Sequence, residues 1–207
     1  MSLWSSKMTT IRQINGLWSE GRTRQLVAEL TRYRPDFPPT LIDALASNPL
    51  AAAALAMIRL QELDQTLLAT YDGLKRKLLD AQENDGSFGS IAVTVLACRA
   101  LLTEASASES LRKGLEYLSL TQREDGGFPI DAPRRLPADL MNTALCIYHL
   151  SRDDRAKRAL RFEAAGRWLA DHRMDASPLD RAFIQITLTR AGQTIAGQAR
   201  KLLDLAA

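Results

Sequence analysis

The chain has 207 residues, 46 % of them hydrophobic and 25 % charged, a composition that supports a packed core and excludes a disordered chain. A net charge of +3, from 27 basic and 24 acidic residues, is too even to imply a nucleic-acid partner.

Residues 1–20 read as an N-terminal helical extension and 21–207 as one repeat domain. Nothing at the start has the charged, apolar and cleavage regions of a signal peptide. Pro35 and Pro38-Pro39 break the chain around Asp36-Phe37. Asn48-Pro49 is an N-cap with proline at the first helical position, opening an alanine-rich run to Leu60. The longest apolar stretch, Pro49 to Ile58, is too short to cross a bilayer, so no transmembrane segment is expected. Leu74, Leu78 and Leu79 share a face against Lys75, Arg76 and Lys77. Asp85-Gly86 ends that helix. Ile91 to Leu102 follows as an apolar helix despite its β-branched start, Ile91 to Val95.

Leu111, Leu115 and Leu118 oppose Arg112, Lys113 and Glu116 on the next amphipathic helix, which stops at Gly126-Gly127. Leu140 to Leu150 is again apolar. Arg152, Arg155, Lys157, Arg158 and Arg161 alternate with Asp153, Asp154 and Glu163, as a solvated helix face does, or an anion- or protein-binding patch. Phe162, Ala165 and Leu169 oppose Arg161 and Arg167. Ser177-Pro178 starts the last helix, apolar from Phe183 to Leu188. This makes about eleven helices and no strand. Cys98 and Cys146 lie in apolar helical contexts, where buried free thiols in a reducing cytosol are expected rather than a disulfide. A cytoplasmic protein follows from that reading.

Helices apolar on one face alternate with helices apolar nearly all round (Ala51 to Leu60, Ile91 to Leu102, Leu140 to Leu150, Phe183 to Leu188). A helix apolar on every side must be covered on every side. The alternation therefore predicts an all-α fold of hairpins, with an outer layer of amphipathic helices around an inner layer of buried ones.

A repeat supports this. Leu78-x3-Gln82-x2-Asp85-Gly86-Ser87-Phe88 recurs 40 residues later as Leu118-x3-Gln122-x2-Asp125-Gly126-Gly127-Phe128. Each copy leads into an apolar helix with a threonine in its first turn, Thr94 or Thr143. Glycine supplies a left-handed turn after the outer helix and Asp caps amides of the turn. Phe fills the seam between hairpins, and Gln reaches a neighbouring turn. These residues are expected to be structural. The unit resembles the QW-type repeat of squalene and other terpene cyclases and of protein prenyltransferase β subunits. The clear resemblance covers Leu74 to Leu150, with degenerate hairpins over about Gln25 to Arg190. It implies an α/α-toroid, incomplete or small, with about five hairpins. It also implies an isoprenoid-like ligand, and an open edge through which a second copy or another protein would associate.

The second corner carries the candidate chemistry. Phe88 precedes Thr94 by six residues but Phe128 precedes Thr143 by fifteen, so the second loop holds nine extra residues. Among them are Pro129, Asp131, Pro133, Arg134, Arg135 and Pro137. A proline-stiffened loop opening on an inner helix suits a ligand site, with Arg134 and Arg135 offering guanidinium forks to a diphosphate, and it equally suits a plain connector. Next stands Asp139-Leu140-Met141-Asn142-Thr143-Ala144, which is similar to the Asp-x-Asp-Asp-Thr-Ala motif that class II terpene cyclases use to protonate an alkene or epoxide. Asp139 takes the first Asp and Asn142 the last, while Met141 replaces the middle Asp that carries the proton in the family. A thioether donates no proton. Asp139 and Asn142 are thus either a degenerate acid motif, with Met141 and Thr143 lining the ligand, or a helix start capped by Asp139. The prenyltransferase zinc needs Asp, Cys and His from separate helices, and Asp139, Cys146 and His149 share one, so no metal and no cofactor are expected.

The reading that follows is a noncatalytic or degenerate binder of an apolar, isoprenoid-like ligand or of a partner protein. An active cyclase or prenyltransferase subunit and a pure repeat scaffold are the alternatives.

Overall fold

The structure is a computed structural model that describes residues 3–32, 37–132 and 136–206. The described residues are all-α. They form α1 (Leu3–Ser19), α2 (Thr23–Thr31), α3 (Pro39–Ala46), α4 (Pro49–Glu62), α5 (Ala69–Asp80), α6 (Ile91–Leu101), α7 (Ser108–Thr121), α8 (Leu140–Leu150), α9 (Asp154–Ala159), α10 (Phe162–His172) and α11 (Pro178–Ala206). The β-branched run Ile91 to Val95 is helical, because its side chains are buried on all sides and packing outweighs propensity.

Two helix classes follow from burial. In α6 and α8 nearly every residue is buried, as is the whole middle of α4 from Ala51 to Ile58, with Ala51 to Ala54, Val95 to Cys98 and Ala144 to Ile147 carrying no accessible surface. The amphipathic helices α2 and α5 pack on α4, α7 packs on α6, and α10 packs on α8. The buried helices touch in succession, α4 to α6 to α8, and α8 touches the half-buried α11. Their ends match as well: Gln61 near the end of α4 donates to Ala100 O near the end of α6 at 2.6 Å. Short α3 touches both α4 and α11 and so bridges the first and last hairpins. Ile11 and Ile14 of α1 are buried in the same hydrophobic core as α2 and α4, which ties the N-terminal extension to the repeat domain.

The two classes also start differently. Each apolar helix has its own side-chain cap. Asn48 accepts from the Leu50 and Ala51 amides at 2.9 and 3.1 Å, Ser90 from Val93 at 3.3 Å, and Asp139 from Asn142 at 2.7 Å. The outer helices α5, α7 and α10 have no such cap of their own.

Two expectations need correcting. The expected strand-free chain contains one two-residue antiparallel ladder, β1 (Phe128–Pro129) with β2 (Ala138–Asp139), pairing Phe128 with Asp139 and Pro129 with Ala138. It forms because the long second loop must return to the start of α8, and pairing its two ends satisfies their backbone groups. Phe183 to Leu188 is also not covered on every side. It belongs to the 29-residue α11, in which Phe183 and Ile184 are buried while Gln185 and Ile186 face solvent.

Candidate functional site

The repeat corners are built alike, atom for atom. Asp85 Oδ1 accepts the Ser87 amide at 2.9 Å, and Asp125 Oδ1 accepts the Gly127 amide at 3.0 Å. The Phe88 and Phe128 amides donate to the hydroxyls of Thr94 and Thr143 at 3.0 and 2.9 Å. Those hydroxyls donate in turn to Ser90 O and Asp139 O, one turn back in their helices, at 2.8 and 2.7 Å. Both phenylalanines are fully buried.

Gln82 and Gln122 link each corner to the next outer helix. Gln82 Nε2 donates to Gly86 O at 3.0 Å and to Ser110 O in α7 at 2.8 Å, while its Oε1 accepts from Ser110 Oγ at 2.7 Å. Gln122 Nε2 donates to Gly126 O at 2.9 Å, and its Oε1 accepts the Arg161 amide at 2.9 Å. Arg161 is the N-cap residue of α10, so Gln122 supplies from the preceding hairpin the acceptor that α10 lacks. Gly86 and Gly126 have φ of 91° and 95°. A Cβ there would also lie 2.4 Å from Lys113 O in α7 or from the Ala164–Ala165 peptide in α10.

The cap of α8 borders a cleft of about 420 Å³ lined by Thr40, Ala138 to Met141, Trp168, His172, Asp175 to Ser177 and Asp180. The starts of α3, α8 and α11 meet the end of α10 here. Met141 forms part of the wall. Asp139 lies at the edge, its carboxylate engaged by the Asn142 amide. Asp180 is 4 % exposed and accepts from Thr40 Oγ1 at 3.0 Å and Ser177 Oγ at 2.7 Å. The His172 ring stacks on Trp168 at 4.5 Å between centroids, with Nδ1 2.8 Å from Trp168 O.

The structure separates the other expected site residues. Asn142 is not on the cleft: its amide donates to Pro129 O and Ile130 O at 2.9 and 3.2 Å and braces the long loop. Thr143 has no accessible surface, its hydroxyl holds Phe128 and Asp139, and it is not among the residues that line this cleft. Arg134 and Arg135 lie outside the described residues. Trp168, His172, Asp175 and Asp180 were not expected at a site. The available signal was Ser177-Pro178-x-Asp180, a capping box at the start of an inner helix and thus in the place of Asp139 to Asn142.

Among the described residues, no three His, Cys, Asp or Glu side chains converge as a metal site. Burial pushes the Cys98 thiol up to about 12 and lifts Cys146 well above the ordinary thiol range, with Cys98 adding to the latter. Neither offers a thiolate nucleophile. No single helix among the described residues is long and apolar enough to cross a membrane. Comparison with protein-family models, curated proteins and solved structures finds no match.

Proposed function

We propose that the chain is a noncatalytic binding protein related to the α/α-toroids of terpenoid cyclases and prenyltransferases, and that it holds an apolar, isoprenoid-like ligand at the cleft beside α8. The observation that carries this reading is Met141, which lines the cleft where those cyclases keep the proton-donating Asp. Protonating an alkene needs a carboxylic acid in a dry setting. Here Asp139 caps α8, Asp180 is held by Thr40 and Ser177, and Asp175 stands in water.

Leu140, Met141 and Trp168 supply an apolar wall, and the volume falls in the range of small-ligand sites. The inner helices leave no accessible surface along their middle turns, so the ligand sits at the rim and not in a central hollow. Succession of the inner helices, with α3 bridging α4 and α11, supports the small-ring architecture. A partner protein burying the same rim is the second reading, favoured by Met174 and Leu179, two exposed apolar side chains beside the cleft.

Farnesol and geranylgeraniol titrated into purified protein should quench tryptophan fluorescence, and Met141→Arg, which obstructs the cleft, should remove the saturable part. Incubation with squalene or geranylgeranyl diphosphate should return the substrate unchanged. Product formation would overturn the noncatalytic reading, and the lack of any saturable binding would leave the partner reading in its place.

A further inference from the structure

The repeat spacing recurs a third time in altered form. Trp168-x3-His172-x2-Asp175-Ala176-Ser177 sets His172 at the place of Gln82 and Gln122, and Asp175 at the place of Asp85 and Asp125. Ala176 replaces the corner glycine and has φ of −78°, where Gly86 and Gly126 have 91° and 95°. The left-handed turn is therefore absent here. α11 is capped instead by Ser177, whose hydroxyl accepts the Asp180 amide at 3.2 Å.

Two side chains lose their structural task by this change. Asp85 and Asp125 each accept the amide two residues on, but Asp175 is exposed and accepts no hydrogen bond among the described residues. Gln82 holds the start of α7 and Gln122 the start of α10, whereas no outer helix follows α11 among the described residues. The His172 ring lies on Trp168 instead. Asp175 and His172 both line the cleft beside α8, with Met141 and Trp168 as its apolar wall.

We propose, resting on the reading of this cleft as an apolar ligand site, that its ligand ends in a protonated amine received by the Asp175 carboxylate. Charge decides between head groups. Asp139, Asp175 and Asp180 line the cleft, and no Lys or Arg among the described residues does. None of the three is ion-paired among those residues: Asp139 accepts a backbone amide and Asp180 two hydroxyls, all uncharged donors. Arg173 and Arg181, next in sequence to cleft residues, are turned to Ala170 O and Ala176 O at 2.6 and 3.0 Å. The helix starts of α8 and α11 offset part of the charge on Asp139 and Asp180, so Asp175 carries the uncompensated one. An ammonium donates to such a carboxylate, and a diphosphate is repelled.

The test uses the whole chain and three probes that share one tail and differ in the head: farnesylamine, farnesol and farnesyl diphosphate. They are titrated in about 0.15 M NaCl and read by tryptophan fluorescence. Farnesylamine should bind about fivefold tighter than farnesol, and the diphosphate about tenfold weaker than farnesol. About 1 M NaCl should narrow both gaps. Asp175→Asn should bring the ratio of amine to farnesol affinity to about one. Its circular dichroism and melting temperature should be unchanged, because the side chain is exposed and holds nothing. Glu83→Gln, at an exposed carboxylate of the first corner, should keep the wild-type ratio, which sets the cleft apart from general attraction to acidic surface. An amine that binds no tighter than a saturable farnesol, a diphosphate that binds best, or a ratio that survives Asp175→Asn would overturn the head group and leave the cleft reading standing. No saturation by any of the three probes would remove the cleft reading and the head group with it.

Discussion

Thr40 Oγ1 donates to Asp180 Oδ1 at 3.0 Å and joins α3 to α11 across 140 residues of chain. The same carboxylate accepts from Ser177 Oγ, while that hydroxyl accepts the Asp180 amide at 3.2 Å. Capping of the last inner helix and closure onto the first hairpins therefore share one buried side chain. Asp180→Ala removes the bond to Thr40 and the hold on the capping Ser177 hydroxyl, and should destabilise the fold by about 2–3 kcal/mol, the scale of a buried side chain with several hydrogen bonds. Thr40→Val removes one bond and should cost about 1 kcal/mol. A double-mutant cycle read by urea unfolding should show the two coupled by about 1 kcal/mol, and strict additivity would sink the closing role of this pair.

The corner glycines separate backbone strain from lack of space. Gly86, Gly89 and Gly126 all have φ near 90–95°, but a Cβ on Gly89 would meet no atom within 4 Å. Gly89→Ala should cost only the conformational penalty, about 1–2 kcal/mol. Gly86→Ala and Gly126→Ala must in addition push backbone of α7 or α10 away, and each should cost about 3 kcal/mol or more. Thermal melts of the three variants check the order, and equal losses would mean the outer helices are not pinned at these corners.

The hydroxyls of Thr94 and Thr143 hold the Phe amides of their corners and have no accessible surface. Replacing either with Val keeps shape but orphans a buried N–H, at about 1–3 kcal/mol. Thr→Ser at the same positions keeps the acceptor and should cost less. Were Thr143 a ligand contact instead, its valine variant would retain stability and lose only farnesol binding.

Legibility in the sequence tracks the length of chain over which each contact is made. The Asp/Gly/Phe corner was readable because its bonds are local and recur at fixed spacing, as Asp85 to Ser87 and Asp125 to Gly127 show. The partners of Gln82 and Gln122 were not readable, since they lie 28 and 39 residues onward, and the difference reflects the longer second loop and the inserted α9. Thr40 gives no local sign of its bond to Asp180. Phe183 to Leu188 reads like any inner helix, because an edge position is a property of neighbours and not of the segment itself. Asp139 was ambiguous for a chemical reason: helix caps and acid catalysts draw on the same side chain. Its bond to the Asn142 amide places it as a cap.

Tyr71 governs stability at the opposite end of the inner helices. Its hydroxyl accepts from Gln61 Nε2 at 2.8 Å and donates to Glu104 Oε1 at 2.6 Å, and Glu104 Oε2 pairs with Lys75 Nζ at 3.2 Å. Burial pushes the phenol up to about 12, with the Gln61 bond pulling it down and the Glu104 bond and charge raising it further. The folded value lies above the ordinary one near 10, so the neutral phenol's contribution is complete below that pH and is lost as pH rises through 12. The predicted loss is about 2–3 kcal/mol across this window. Lys75, raised chiefly by its hydrogen bond to Glu104, adds alkaline sensitivity of the same sign. Tyr71→Phe should lower stability by about 1 kcal/mol at pH 8, through the lost bond to Glu104. It should also flatten the decline between pH 10 and 12, leaving the Lys75 component. Urea midpoints of wild type and variant at pH 8, 10 and 12 read both effects, and curves that stay parallel throughout would show that the phenol does not titrate in the folded chain.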